Sequence, residues 1–173
     1  MARAARIDLR SFQQELASRL ATKTAAQVES SRLGLSSGGS RWLIRLAEAG
    51  EVITMPTIVS VPMTQPWFMG VANIRGSLFS IVDFAGFMGF PLIVPSTSTR
   101  LVLFAPRVGD LHVGVMVERV LGLRNLSELA PSPPLADAEA WHAQRWMDGD
   151  GNAWQEIDLA NLAREPAFLQ VGI

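Results

Sequence analysis

The sequence predicts a mainly β fold. From Trp42 onward, apolar residues recur about every second position in short runs, which is the spacing of β-strands. Gly, Pro, Asn and Asp separate these runs at intervals of roughly ten residues, a pattern typical of β-sandwiches and barrels. Because no long helical pattern lies between the runs, a parallel α/β architecture is not expected.

Eight segments carry this strand pattern. They are RWLIRLA (41–47), EVITM (51–55), TIVSV (57–61), SLFSIVD (77–83), RLVLFA (100–105), LHVGVMVERV (111–120), AQRWMD (143–148) and NAWQEID (152–158). The apolar residues that precede SLFSIVD form a further strand, and a tight turn at Arg75 joins the two.

Length and composition indicate one globular domain. The chain has 173 residues, 49% of them hydrophobic, a net charge of −1 and no cysteine. Disulfides and thiolate metal sites are therefore excluded. The uncharged stretch 52–74 contains three prolines and cannot form a membrane helix. Since the first residues lack the apolar region of a signal peptide, we expect a soluble, cytoplasmic protein.

The small net charge conceals an asymmetry. Residues 1–45 hold 8 basic and 3 acidic residues, whereas residues 118–173 hold 4 basic and 9 acidic. This split is too mild for nucleic-acid binding, which requires a dense basic surface. Charged residues on ordinary solvent-exposed faces explain this uneven distribution of charge. The distribution can also steer partners of opposite charge toward the protein.

The amino-terminal part predicts a helix followed by a linker. Leu9, Phe12, Leu16 and Leu20 recur at helical spacing, and Asp8 is placed to cap the helix. We expect this apolar stripe to pack on the rest of the chain. GLSSGGS (34–40) has the composition of a flexible link. We therefore expect residues 1–38 to be a removable helix and linker, and residues 39–173 to be the β domain.

Two segments share one plan of a strand, an aspartate and a short helix. They are LFSIVDFAGFMG with Asp83 and AWQEIDLANLA with Asp158. An aspartate at this position accepts hydrogen bonds from the exposed N–H groups of the helix, so we predict that both are helix caps. The repetition suggests two similar small barrels.

The sequence offers little for catalysis. No nucleophile motif, phosphate-binding loop or dinucleotide fingerprint occurs, and His112 and His142 lack metal-ligand spacing. The DGDGN segment (148–152) has part of a calcium-loop pattern, but Ala153 and Leu159 stand where that loop requires Gly and Glu. We predict a hairpin turn there, no cofactor, no metal and no enzyme activity.

Residues 61–89, VPMTQPWFMGVANIRGSLFSIVDFAGFMG, resemble the signature region of the CheW-like family, the scaffold proteins of bacterial chemosensory arrays. The shared pattern falls on Gly70, Val71, Asn73, Ile74, Arg75, Gly76 and Asp83. A second likeness lies at residues 100–123, through Val113, Gly114, Val117 and Glu118. The resemblance covers residues 41–164, and with its amino-terminal helix the chain is especially similar to members that control type IV pilus twitching motility.

The resemblance implies two five-stranded, SH3-like β-barrels that share a core, and a non-catalytic function. Family members bind the regulatory domain of a CheA-like histidine kinase and the cytoplasmic tip of a chemoreceptor. It also implies partner-binding positions at Glu51, Val52, Arg75, Val102 and Leu123. Because an arginine beside apolar strands requires a partner, we expect a Glu51–Arg75 ion pair that shapes the receptor-facing groove.

Two other classes of function stay open. A stand-alone β-barrel that binds a small ligand could use its tryptophans to line a cavity. These are Trp42, Trp67, Trp141, Trp146 and Trp154. Tryptophan also fills cores, and the other class, an enzyme with an unrecognised site, lacks a nucleophile.

Overall fold

The computed structural model describes residues 9–173, with side chains described from residue 13 onward. The α-helices in this range are α1 (Leu9–Ser30), α2 (Phe84–Phe87), α3 (Leu159–Leu162) and α4 (Pro166–Leu169), and two short 3-10 helices lie at Pro106–Val108 and Leu126–Glu128. The strands are β1 (Ser31–Ser37), β2 (Ser40–Arg45), β3 (Ala49–Ile53), β4 (Phe68–Ile74), β5 (Ser77–Asp83), β6 (Arg100–Phe104), β7 (Val113–Val117), β8 (Arg119–Asn125), β9 (Ala130–Ser132), β10 (His142–Met147) and β11 (Ala153–Ile157).

The strands form two sheets of the same design. The first has the order β8-β1-β2-β11-β10-β9, and the second has the order β3-β6-β7-β5-β4. In each sheet a central hairpin (β1–β2 or β6–β7) pairs in parallel with one strand of another hairpin (β10–β11 or β4–β5). The three-residue strand β9 is an addition to the first sheet. The predicted fold of two SH3-like β units with an amino-terminal helix is thus confirmed.

Within the described residues, buried apolar side chains form a core that both units share, a core inside the second unit and a smaller cluster in the first unit around Leu43, Leu129 and Trp154. On β6, Val102 packs in the shared core, whereas Leu101 and Leu103 pack inside the second unit. This division follows from the alternation of side chains along a strand. Strand β6 is therefore buried on both faces from Leu101 to Phe104, which explains why this part of the strand is apolar without interruption.

The two aspartates cap helices as predicted. The Oδ1 atom of Asp83 accepts a hydrogen bond from the N–H of Gly86 at 3.0 Å, and Oδ1 of Asp158 accepts one from Asn161 at 2.8 Å. Asp83 is fully buried, and its Oδ2 also accepts the N–H of Ile93 at 2.7 Å. Each cap follows the strand that pairs in parallel with a central hairpin.

The predicted linker at residues 34–40 is wrong. Residues 31–37 form β1, which lies between β8 and β2, and its Leu33 and Leu35 belong to the shared core. Gly38 and Gly39, with φ of 59° and 70°, form the two-residue turn of the β1–β2 hairpin. Such turns require positive φ at both positions, so these glycines mark a hairpin rather than a flexible link. The predicted boundary after residue 38 therefore cuts through a hairpin.

Helix α1 does not pack on the β units in the way we expected. Its side chains are exposed from residue 13 to residue 29, and Ser30 at its end is half-buried. Leu16 and Leu20 are 48% and 58% exposed. The predicted cap Asp8 lies outside the described residues, as do the side chains of Leu9 and Phe12. No helix within the described range is both long and apolar enough to cross a membrane.

The predicted strand at residues 57–61 is reduced to one bridge, between Val59 and Val71 of β4. Pro56 and Pro62 flank this segment, and a proline has no N–H to donate to a sheet. The segment passes so close to β4 that a Cβ atom added to Gly70 would lie 2.1 Å from the carbonyl oxygen of Val59. Gly70, whose φ is 123°, is thus required by this contact.

Candidate functional site

The predicted pair of Glu51 and Arg75 is present and bidentate. Nη1 of Arg75 donates to Oε2 of Glu51 at 2.9 Å, and Nη2 donates to Oε1 at 2.7 Å. The side chain of Arg75 is 76% exposed and that of Glu51 is 38% exposed. Glu51 lies on β3 and Arg75 follows β4, which are the two outer strands of the same sheet. The pair therefore links the edges of the second unit.

Arg75 lies in a turn whose backbone is unusual for an arginine. Arg75 and Gly76 connect the paired residues Ile74 and Ser77, and their φ angles are 53° and 87°. These are the positive values of a type I′ hairpin turn, in which Asn-Gly is the common sequence. The side chain of Asn73 accepts the N–H of Gly76 at 2.9 Å and stabilises the turn. The turn and the ion pair together fix the direction of the guanidinium group.

Val52 and Leu123 are apolar and exposed, as a docking surface requires. Val52 on β3 is 37% exposed and is paired with Val102, and Leu123 on β8 is 63% exposed and is paired with Leu33. Both partners belong to the shared core, and residues paired across antiparallel strands point to the same face. Val52 and Leu123 therefore lie on the same sheet faces as residues of the shared core, but on the outer strands β3 and β8, where they are exposed.

Val102 is not a surface residue, so its predicted role in partner binding is wrong. Its side chain is fully buried in the shared core. A fully buried side chain has no surface for a partner to contact. Glu51, Val52, Arg75 and Leu123 remain as candidates.

The predicted hairpin turn at residues 148–152 joins β10 to β11. The carboxylate of Asp148 accepts hydrogen bonds from the indole of Trp154, from the backbone N–H groups of Asp150 and Asn152, and from the side chain of Asn152. These donors, with the Trp154 contact first, hold the pKa of Asp148 well below its usual range. They occupy the oxygens that a calcium ion would need. Within the described residues no group of three or more potential metal ligands occurs.

Sequence reasoning missed a buried network of charges in the first unit. Nε of Arg32 donates to Oε1 of Glu156 at 2.6 Å, and both side chains are less than a tenth exposed. Arg45 contacts Glu48 and Asp158 at 3.1 and 3.4 Å. Burial lowers the pKa of Arg45, but Glu48, Asp158 and Glu156 together raise it above its ordinary value.

The network has a structural purpose, because Oε2 of Glu48 accepts the N–H of Leu159 at the start of α3. Charged residues inside apolar strand patterns, such as Arg32 in SRLGLSS and Glu156 in AWQEI, were the signal that could have revealed it. Because a buried charge without a partner is strongly unfavourable, an arginine and a glutamate that are both buried in one sheet are expected to form an ion pair.

The tryptophans do not line one common cavity. Trp154 is buried and donates to Asp148, and Trp146 donates to Oε2 of Glu156 at 2.8 Å. Trp42 and Trp141 lie together, with ring centres 6.2 Å apart. The alternative of a ligand-binding barrel lined by five tryptophans therefore loses its main support.

The duplicated β unit, the shared core and the exposed ion pair between Glu51 and Arg75 are the features that the resemblance to adaptor proteins implied. Comparison with known proteins identifies the family. The CheW-like domain matches residues 32–167, and the chain belongs to the CheW-like family. Members of this family are non-catalytic, so the prediction that the chain is not an enzyme is confirmed.

Individual relatives agree with this assignment. The chain is 32% identical to Protein PilI of Pseudomonas aeruginosa over 162 residues, which cover 90% of this chain and 89% of PilI. It is 30% identical to Protein FrzA of Myxococcus xanthus over 118 residues, 66% of this chain and 71% of FrzA. The crystal structure of the scaffolding protein TtCheW from Thermoanaerobacter tengcongensis superposes with a TM-score of 0.67 at 17% identity. That comparison covers 80% of this chain and 95% of TtCheW, and it supports the fold.

Proposed function

We propose that this chain couples a chemoreceptor of the methyl-accepting type to a CheA-like histidine kinase in a chemosensory array that controls type IV pilus twitching motility. The observation that carries this proposal is the likeness to PilI, which extends over 90% of the chain. In this role the chain works in the cytoplasm and reaches the membrane through its partners.

We further propose that the exposed edge of β3, with Glu51 on one face and Val52 on the other, receives the receptor tip together with Arg75 and Leu123. Exposed apolar side chains supply the area that becomes dry on binding, and a charge beside them fixes the orientation of the partner. The bidentate contact holds the Arg75 guanidinium in one direction before the partner arrives. Little conformational entropy is then lost when the complex forms.

Two titrations test the coupling function. The purified chain is mixed with the regulatory domain of a CheA-like kinase and, separately, with a helical fragment of a chemoreceptor tip. We expect saturable binding of both fragments, and a ternary complex when all three are present. Binding of only one fragment, or of neither, would contradict the proposal.

A further inference from the structure

A cleft of about 380 Å³ opens where the two units meet, away from the surface proposed above. Its walls come from β2, from the end of α2, from the segment that precedes β10 and from the start of α4. This volume lies within the range of ligand sites in proteins, roughly 300–1,000 Å³. None of Glu51, Val52, Arg75 or Leu123 lines the cleft.

Aromatic rings that are already fixed form the cleft walls. Trp42 and Trp141 are 3% and 4% exposed, and their ring centres lie 6.2 Å apart at 31°. The indole N–H of Trp42 donates to the carbonyl of Ser37 at 3.0 Å, and Phe87 lies 6.0 Å from Trp141. The walls therefore need little rearrangement to receive a ligand.

The charged groups of the cleft are all acidic. Glu139 and Glu165 line it, and no arginine or lysine does. Neither carboxylate takes part in an ion pair with the described residues. His142 also lines the cleft, and its Nδ1 accepts the N–H of Glu139 at 3.0 Å. Burial lowers the pKa of His142, although Glu139 opposes this. The cleft thus combines aromatic faces with unpaired negative charge.

We propose that this cleft binds an arginine side chain of a partner protein, presented on a peptide segment with apolar neighbours. The ring of Phe90, which is 43% exposed, is available to attract a cation, whereas the buried rings of Trp42 and Trp141 only shape the walls. Carboxylates at the rim neutralise the charge of the cation. The planar guanidinium group suits this arrangement better than the more strongly hydrated ammonium of lysine. The same fold shows this contact elsewhere, because the guanidinium groups of Arg41 and Arg124 lie 5.6 and 5.0 Å from the ring centre of Trp154.

The rim of the cleft favours a peptide over a free small cation. Phe90 and Leu135 line the cleft, and each is 43% exposed. A ligand the size of one guanidinium group would leave these apolar side chains in water. The apolar residues that flank an arginine in a peptide would cover them, and that burial adds to the affinity.

Calorimetric titration with the peptide acetyl-Leu-Arg-Phe-amide tests the proposal. We expect saturable binding with one peptide per chain and a change in tryptophan fluorescence, since Trp42 and Trp141 form the walls. The same peptide with citrulline in place of arginine keeps the shape without the charge. It should bind at least tenfold more weakly.

Variants then locate the site. The double variant Glu139→Gln/Glu165→Gln should lose at least tenfold in affinity for the arginine peptide, whereas Glu128→Gln, an exposed glutamate elsewhere, should bind as the wild type does. The proposal is overturned by equal binding of the citrulline peptide, by an unchanged affinity of the double variant, or by no saturable binding. It is also overturned if tetramethylammonium binds as tightly as the peptide, because the site would then select a small cation. Since the kinase and receptor fragments are absent from this experiment, its failure leaves the coupling function untouched.

Discussion

Arg75 adopts a backbone conformation that is unfavourable for an arginine. A non-glycine residue with positive φ is disfavoured by roughly 1–2 kcal/mol. An exposed ion pair contributes only about 0–1 kcal/mol to the free energy of unfolding. The Glu51–Arg75 pair therefore contributes little to folding, and its geometry is better explained by recognition. The exposed pair is therefore a candidate for binding, in line with the proposal above.

Gly70 gives the opposite case, in which a residue of the family signature is structural. Replacing Gly70 by Ala places a Cβ atom against the backbone of Val59 at a φ of 123°, so we expect a loss of about 2 kcal/mol or more in the free energy of unfolding. Chemical denaturation measures this loss.

Gly76→Ala is the matched control, because Gly76 also has positive φ but its added Cβ would meet nothing within 4 Å. We expect the smaller loss caused by backbone strain alone, about 1 kcal/mol. Equal losses for the two variants would show that the close contact with Val59 is unimportant.

Asp148 predicts a dependence of stability on pH. Its pKa in the folded protein is depressed by hydrogen bonds from Trp154 and then Asn152, so the folded state binds fewer protons than the unfolded state. Asp148 therefore stabilises the fold above its ordinary pKa of about 4, and this contribution is lost as the pH falls toward the lower folded-state value. We expect Asp148→Asn to be less stable than the wild type at pH 7, with a smaller loss of stability between pH 5 and pH 2.

Asp150→Asn is the control for this measurement. Asp150 lies in the same turn, and its carboxylate accepts no hydrogen bond from the described residues. Its stability should follow the wild-type curve. If both variants change the acid part of the curve equally, the hydrogen bonds of Asp148 are not the cause.

At the level of elements, the sequence predicted most strands but misjudged the amino-terminal segment. SRLGLSSGGS contains glycine and serine, which favour loops in general. In the structure a Cβ atom on Gly34 would lie 3.1 Å from the ring of Trp154, so this glycine permits close packing within a strand. Such a contact joins residues 120 positions apart, and local composition cannot reveal it. Short apolar runs with period two were reliable elsewhere, with two exceptions. Prolines flank residues 57–61, and the run at residues 111–120 is divided between β7 and β8, which belong to different sheets.

Two deletions test the corrected boundary. Removal of residues 1–28 takes away most of α1 but keeps the carbonyl of Glu29, which accepts a hydrogen bond from Arg32 at 2.7 Å. We expect this protein to retain its β circular-dichroism spectrum and cooperative melting. Removal of residues 1–38 also takes away β1 and two leucines of the shared core, so cooperative melting should be lost. A folded product of the longer deletion would show that β1 is dispensable.

Across the whole molecule, the sequence predicted the duplication through Asp83 and Asp158 because a capping aspartate after a strand is a local signal. The pair of Glu51 and Arg75 came from resemblance, and the structure supplies its geometry. The buried network around Glu156 had a sequence signal, a charge within an apolar strand pattern, that was not used. The depth of Val102 and the aromatic cleft depend on packing between distant strands. These features were therefore beyond sequence patterns, as was the exposure of α1.

The central claim is that the exposed surface with Arg75 recognises a receptor rather than stabilising the fold. The most direct test titrates Arg75→Ala and Arg75→Asn against the receptor-tip fragment and the kinase fragment, beside thermal melts. Asparagine suits the positive φ of the turn, and Arg107→Ala, at another exposed arginine, serves as the control.

Both Arg75 variants should melt within a few degrees of the wild type and keep their affinity for the kinase fragment. They should bind the receptor tip at least tenfold more weakly, which corresponds to about 1.4 kcal/mol in binding free energy. Arg75→Glu should bind the receptor more weakly still, with partial recovery on adding Glu51→Arg. Unfolding of Arg75→Asn, or receptor binding equal to that of the wild type, would contradict the account.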